Sequence, residues 1–181
     1  MRTLRIAIII GSTRPGRNGE AVAKWVCEIA KKRTDAEFEL VDIKDFGLPL
    51  LDEPMPPIMG QYSKPHTKAW AAKIGNFDAY VFVTPEYNHG TSGALKNAID
   101  FLFAEWNNKA AGFVSYGGAG GARAVEQLRL VLARCKWPPC ATRSCSPCLP
   151  TSKTSASSSR IHEKRRQSTK CWMSSSRGET H

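Results

Sequence analysis

Along the first 133 positions the hydrophobic residues switch between two rhythms. Leu4 to Ile10 is β-branched and apolar apart from Arg5 and is closed by Gly11, the pattern of a strand buried on both faces. From Gly19 to Lys32 the residues Ala21, Val22, Trp25, Val26, Ile29 and Ala30 recur at spacings of three and four, which predicts an amphipathic helix. Glu37 to Ile43, with Phe38, Leu40, Val41 and Ile43, predicts a second strand. Phe46 to Tyr62 holds Pro49, Pro54, Pro56 and Pro57 and two glycines, and predicts a loop. His66 to Ile74 predicts a short helix and Ala79 to Val83 a third buried strand. Ser92 to Phe103 places Leu95, Ile99, Leu102 and Phe103 on one helical face. Ala110 to Tyr116 predicts a fourth strand, and Ala122 to Ala133 a helix with Val125, Leu128, Val131 and Leu132 inward. Four alternations of strand and helix imply an α/β, doubly wound fold: a parallel sheet with helices on both faces.

Composition splits the chain. Of its 181 residues and net charge of +10, residues 1–133 contribute 16 basic and 14 acidic side chains. Residues 134–181 contribute 10 basic and 2 acidic ones, together with five of the six cysteines and eleven serines. Leu149 and Ile161 are the only Leu, Ile, Val or Phe in that stretch, too few to offset the entropy of ordering it. The sequence therefore predicts a globular body over 1–133 and a basic Cys/Ser/Pro-rich tail over 134–181, either disordered or translated from a shifted reading frame. No apolar run approaches the ~20 residues needed to span a bilayer, and Arg2 and Arg5 precede a run too short for a signal peptide. With Cys27 as the only cysteine of the body, the expected compartment is the cytoplasm.

In doubly wound sheets ligands bind beyond the carboxyl ends of the strands, where strand order reverses. The first strand is followed by Gly11-Ser12-Thr13-Arg14-Pro15-Gly16-Arg17-Asn18-Gly19. Free N–H groups at the helix start, neutral donors from Ser12, Thr13 and Asn18, and the guanidinium forks of Arg14 and Arg17 suit a terminal phosphate. Neither a Walker loop nor a Gly-x-Gly-x-x-Gly fingerprint is present. The third strand leads into Pro85-Glu86-Tyr87-Asn88-His89-Gly90, a stacking face beside a row of donors, which suits a planar heteroaromatic ligand. The fourth leads into Ser115-Tyr116-Gly117-Gly118-Ala119-Gly120-Gly121, where glycines let the main chain approach a ligand. No catalytic acid or base stands out: His89 alone is weak evidence, and Glu86 can equally hold the loop together. The absence of a Gly-x-Ser-x-Gly elbow argues against a serine hydrolase.

Gly11-Ser12-Thr13-Arg14 with Arg17 and Asn18, then Thr84-Pro85-Glu86-Tyr87-Asn88-His89-Gly90 with Gly93-Ala94-Leu95-Lys96-Asn97-Ala98-Ile99-Asp100 behind it, resembles the NADPH-dependent FMN reductase family. That family includes flavodoxin-like FMN, quinone, chromate and azo-dye reductases, and the resemblance covers about residues 4–133. It implies a flavodoxin-like sheet of order 2-1-3-4-5 and bound FMN. NADPH or NADH would be the hydride donor and a flavin, quinone or related small molecule the acceptor. By resemblance, Ser12, Arg14, Arg17, Asn18 and Gly19 hold the FMN phosphate. Pro85, Glu86, Tyr87 and Asn88 line the ribityl chain and isoalloxazine, with His89 and Gly90 close by. Ser115, Tyr116, Gly117 and Gly118 close the pyrimidine edge. The flavin performs the chemistry, so no catalytic side chain and no metal are implied. The segment around Leu48 to Pro57 resembles one that shapes subunit contacts, which implies a homodimer or homotetramer.

The tail departs from the family, and the expectation is a fifth strand missing or replaced. Cys140-x4-Cys145-x2-Cys148, with Cys171, approaches an iron–sulfur spacing, but Pro138, Pro139, Pro147 and Pro150 interrupt it and no cluster is expected. Arg160, Lys164, Arg165 and Arg166 lack an accompanying aromatic platform, so no nucleic-acid partner is expected either. Two rival readings are a flavodoxin-like electron carrier and an inactive truncated relative with a polyanion-binding tail.

Overall fold

The computed structural model describes residues 2–133 and the backbone of 143–147. Strands β1 (Leu4–Ile10), β2 (Ala36–Asp42), β3 (Ala79–Pro85), β4 (Ala110–Gly117) and β5 (Arg143–Pro147) form one sheet in the order β2-β1-β3-β4-β5. Every pairing is parallel, with Ile8 opposite Leu40 on one side and Val81 on the other. Helices α1 (Gly19–Ala30), α2 (Pro65–Gly75), α3 (Gly93–Asp100) and α4 (Ala122–Ala133) make the crossovers.

The period of two along β1 divides the core. Ile8 and Ile10 join Val81, Val83, Val114 and Tyr116 beneath Ala23, Val26, Cys27 and Ala30 of α1. Ala7 and Ile9 face the other way, onto a larger cluster with Trp70, Tyr80, Phe82, Trp106 and Phe113, closed by α2, α3 and α4. Crossovers are right-handed. The chain moves outward from β1 to β2 and then back over β1 to β3, so α1 and α2 fall on opposite faces. The loops after β1 and β3 diverge at that reversal, which creates the place for a ligand.

Trp106 centres the larger core. Its ring lies 4.9 Å from Tyr80, 5.9 Å from Phe82 and 6.1 Å from Trp70, and its indole N–H donates to Ile99 O at 3.1 Å. That bond, with Leu102 N–H donating to the same carbonyl at 3.3 Å, draws the chain out of α3. The helix ends at Asp100 instead of continuing to Phe103, and Phe103 is only half-buried.

Of the two expectations for the fifth strand, missing or replaced, the structure shows the second. Residues 143–147 have no useful apolar alternation, yet they pair with β4 from Phe113 opposite Arg143 to Gly117 opposite Pro147. An unpaired edge offers N–H and C=O groups to any extended backbone, whatever its side chains. The edge position is therefore filled. The tail's cysteine spacing, its basic cluster and its expected disorder or frameshift lie otherwise outside the described residues.

The proline-rich segment is entered through a short 3₁₀ turn, Ile43–Phe46, and contains a second, Pro57–Met59. Between them Glu53 anchors it to α2. Glu53 accepts from Ser63 N–H (2.9 Å), the Ser63 hydroxyl (2.8 Å) and Lys64 N–H (2.9 Å), one residue before a helix whose own N-cap Lys64 supplies no side-chain cap. Desolvation raises its pKa, but the nearby Thr67 hydroxyl and hydrogen bonds from the Ser63 and Lys64 amides and the Ser63 hydroxyl outweigh it, lowering the pKa from the ordinary 4.5 to about 2. A carboxylate depressed on folding contributes stability that is complete above its unfolded value and lost as pH falls through the folded one. Thermal melts across that acid range should therefore show wild type losing stability between about 4.5 and 2. Glu53→Gln should be less stable at neutral pH and flatter across the same window; parallel curves would exclude the role.

Candidate functional site

The loops after β1, β3 and β4 are cross-tied at the carboxyl end of the sheet. Gly11 N–H donates to Val83 O at 2.8 Å, prolonging the β1–β3 ladder by one residue. The Ser92 hydroxyl donates to Gly11 O and accepts from Leu95 N–H at 3.1 Å, so one side chain caps α3 and holds the first loop. Ser12 is buried, with its hydroxyl 3.0 Å from the Tyr87 hydroxyl, joining the first loop to the second. Glu86 N–H donates to Tyr116 O at 3.0 Å, joining the second to the third.

Thr13, Arg14 and Asn18 are exposed in the first loop. Asn18 is the N-cap of α1 yet makes no side-chain capping bond, and Val22 N–H is the donor that reaches Asn18 O. The N–H groups of Gly19, Glu20 and Ala21 thus lie ahead of the first intrahelical bond, available to an anion. Gly19 is buried where a Cβ would stand 2.8 Å from the Tyr116 hydroxyl, so a side chain there would have to displace that hydroxyl. Glu20 in the same turn is drawn to Lys24 at 2.7 Å, and that hydrogen bond lowers its pKa. Arg17 is not a free fork. Its guanidinium donates to Ser12 O at 2.6 Å and pairs with Asp42, leaving the side chain 9% exposed. It braces the loop, and Arg14 is the loop guanidinium left without an ion pair among the described residues.

The second loop is a tight turn. Tyr87 and Gly90 exchange N–H···O bonds of 2.9 Å in both directions. Asn88 and His89 between them have φ of 48° and 64°, the left-handed pair of a type I′ turn. Pro85 is the last residue of β3, opposite Tyr116, where a strand end needs no N–H from it. Thr84 and Thr91 hydroxyls lie 2.8 Å apart at the base. Glu86 is nearly buried and pairs with Arg123 at the start of α4; that hydrogen bond outweighs desolvation and lowers its pKa. It is an anchored carboxylate.

In the third loop the side chains of Ser115 and Tyr116 turn inward. The Ser115 hydroxyl donates to Gly120 O at 2.8 Å, and Tyr116 is part of the core beneath α1. Their main chain is taken up by the β3 and β5 pairings, so the exposed main chain of this loop begins beyond them. Gly117 ends β4, Gly118 is exposed, and Gly120 N–H donates to Gly117 O at 3.0 Å to close the turn.

Two residues outside the sequence-based set shape the region. Arg123 is one, legible only as a cation at a helix N-terminus, where the helix dipole disfavours it unless partnered. The other is Asn97, whose side chain donates to Pro49 O at 2.6 Å and accepts from Leu51 N–H at 3.0 Å. It fixes the proline-rich segment beside a cavity of about 400 Å³ lined in part by Thr13, Lys44 and Leu48.

Residues 4–144 match the profile of a family described as NADPH-dependent FMN reductase. The match runs past Ala133, where the motif resemblance stops, and ends inside β5. An NAD(P)H-dependent FMN reductase of Schizosaccharomyces pombe is 47% identical over 131 residues, which cover 71% of this chain and 66% of that protein. An NAD(P)H:quinone oxidoreductase of Solanum tuberosum is 37% identical over 133 residues, with coverage of 71% and 66%. The chain thus spans just under two thirds of these relatives' lengths. Among solved structures, the Paracoccus denitrificans flavoenzyme NAD(P)H:(acceptor) oxidoreductase FerB superposes with a TM-score of 0.67 at 20% identity, covering 96% of this chain and 97% of that one. That is a likeness of fold.

Proposed function

Since the chain belongs to the NADPH-dependent FMN reductase family, we propose that its three loops bind FMN and that it carries hydride from NADPH or NADH to a small two-electron acceptor, a quinone or a free flavin. The observation that carries this reading is the uncapped start of α1. Three donors without intrahelical partners, a glycine where a Cβ would collide, and an exposed Asn18 make a cradle suited to a phosphate monoester. Beside it the Tyr87–Gly90 turn and the exposed main chain at Gly118 offer the ring face and the donors a flavin requires.

Bound FMN would supply the redox chemistry, accepting hydride and passing on electrons. The protein's own groups position. Arg17 and Asp42 brace the phosphate loop, Ser12 and Tyr87 hold two loops together, and Glu86, kept ionised by Arg123, secures the second loop and is no proton donor. The acceptor class, action in the cytoplasm and self-association belong to the same proposal. Among the described residues no helix is long and apolar enough to cross a membrane. Leu50, Met55, Ile58 and Met59 are exposed on the proline-rich segment, a surface suited to a second copy of the chain.

The test is a visible spectrum of the purified chain, incubated with FMN and desalted, before and after anaerobic NADPH. Flavin that stays with the protein and bleaches supports the reductase. Retained flavin that NADPH and NADH leave oxidised favours an electron carrier, and colourless protein overturns FMN binding.

A further inference from the structure

We propose that Arg123 is a positioning residue for the flavin floor, holding the Tyr87–Gly90 turn in its binding shape through Glu86 and His89. The inference rests on the FMN-binding reading above and goes beyond it, since Arg123 belongs to α4 and not to a ligand loop.

The geometry is a four-donor clamp. Arg123 Nε donates to Glu86 Oε1 at 2.7 Å, its Nη2 meets the same oxygen, and its backbone N–H donates to Glu86 Oε2 at 3.2 Å. Its Nη1 donates to His89 Nε2 at 2.8 Å. An arginine cannot accept, so His89 Nε2 is the acceptor in this bond. The Glu86 side chain is 6% exposed, so removing its cation leaves a nearly buried charge unpaired. The same carboxylate takes up a backbone donor at the N-terminus of α4, a helix with no acidic residue in its own first turn. Turn and helix therefore stabilise one another.

Such a clamp is needed because of what it holds. Asn88 and His89 both occupy the left-handed region, strained for residues with a side chain, and such strain persists only where the surroundings over-determine it. Within the turn, only the paired bonds of Tyr87 and Gly90 oppose relaxation. Arg123 adds two tethers, one to Glu86 just before the turn and one to His89 at its tip. Release would also loosen Tyr87, whose hydroxyl is the link to Ser12 in the phosphate loop. A pre-shaped turn spares FMN the ordering cost on binding.

The test compares wild type, Arg123→Met and Arg123→Lys in two measurements: amide hydrogen exchange without FMN, and the dissociation constant for FMN by fluorescence quenching. Arg123→Met should speed exchange at the Tyr87 and Gly90 amides at least tenfold, leave Val81 and Val83 in β3 unchanged, and weaken FMN by roughly tenfold to a hundredfold. Arg123→Lys, a charge without a fork, should fall between. Exchange that rises uniformly with FMN affinity per folded molecule unchanged would mean a purely structural role and overturn the inference. So would unaltered exchange in the turn. If wild type itself retains no FMN, the FMN-binding reading fails, while the exchange comparison still decides whether Arg123 holds the turn.

Discussion

Gly121→Ala should lower the melting temperature by about 10 °C and leave little protein able to bind FMN. Gly121 has φ of 73°, and a Cβ there would stand 2.6 Å from Ser115 Cβ and 2.9 Å from Tyr116 N. Backbone strain at such a position costs about 1–3 kcal/mol. The clash adds about 1–3 kcal/mol more, because both neighbours are strand residues that cannot withdraw. In a chain of this length each kcal/mol shifts the midpoint by about 2–4 °C. Gly118→Ala is the matched control in the same loop. A Cβ on Gly118 would meet no heavy atom within 4 Å, and its φ is not left-handed, so its change should stay within about 0.5 kcal/mol. Melts followed by circular dichroism decide. Equal midpoints for the two variants would mean that the third loop does not need glycine at Gly121.

Asn18→Asp should separate stability from binding by moving them in opposite directions. Asn18 caps α1 without a side-chain bond. An aspartate there caps as well as asparagine and in addition complements the helix dipole by about 0.3–1 kcal/mol, so the apo protein should melt slightly higher. The same carboxylate would share the helix terminus with the FMN phosphate. Like charges at ~5 Å repel by on the order of 3 kcal/mol at an effective dielectric of about 20, so FMN binding should weaken by roughly one to two orders of magnitude. Added salt should recover part of the loss. Asn18→Ser, a neutral cap, should bind FMN within a few-fold of wild type. Fluorescence titrations at two ionic strengths make the comparison, and an Asp variant that binds as tightly as wild type would move the phosphate site away from α1.

Much of the scaffold was legible because local pattern and tertiary demand agree. β1 and α4 span the same residues in pattern and in structure, Leu4–Ile10 and Ala122–Ala133. Burial on both faces selects unbroken apolar runs, and burial on one face of a helix selects spacings of three and four. The ligand loops were legible for a similar reason. A parallel sheet brings the carboxyl ends of β1, β3 and β4 to one side, so small residues, donors and glycines after those strands must meet there.

What residue identity could not convey is where each side chain is spent. Arg14 and Arg17 look alike in sequence, yet Asp42, 25 residues on, claims one and leaves the other exposed. Ser115 and Tyr116 fall in a ligand-facing loop, but the register of β4 turns both side chains into the protein. Arg123 acquires its role from Glu86, 37 positions away. β5 was illegible because edge pairing uses backbone groups that every non-proline residue carries. The sequence by itself determined the parallel α/β architecture and the three loops at its rim, because hydrophobic periodicity and strand-to-helix punctuation are local. Only the tertiary structure decided which donors in those loops remain available, because each hydrogen bond and ion pair that occupies one is made with a residue distant in the chain.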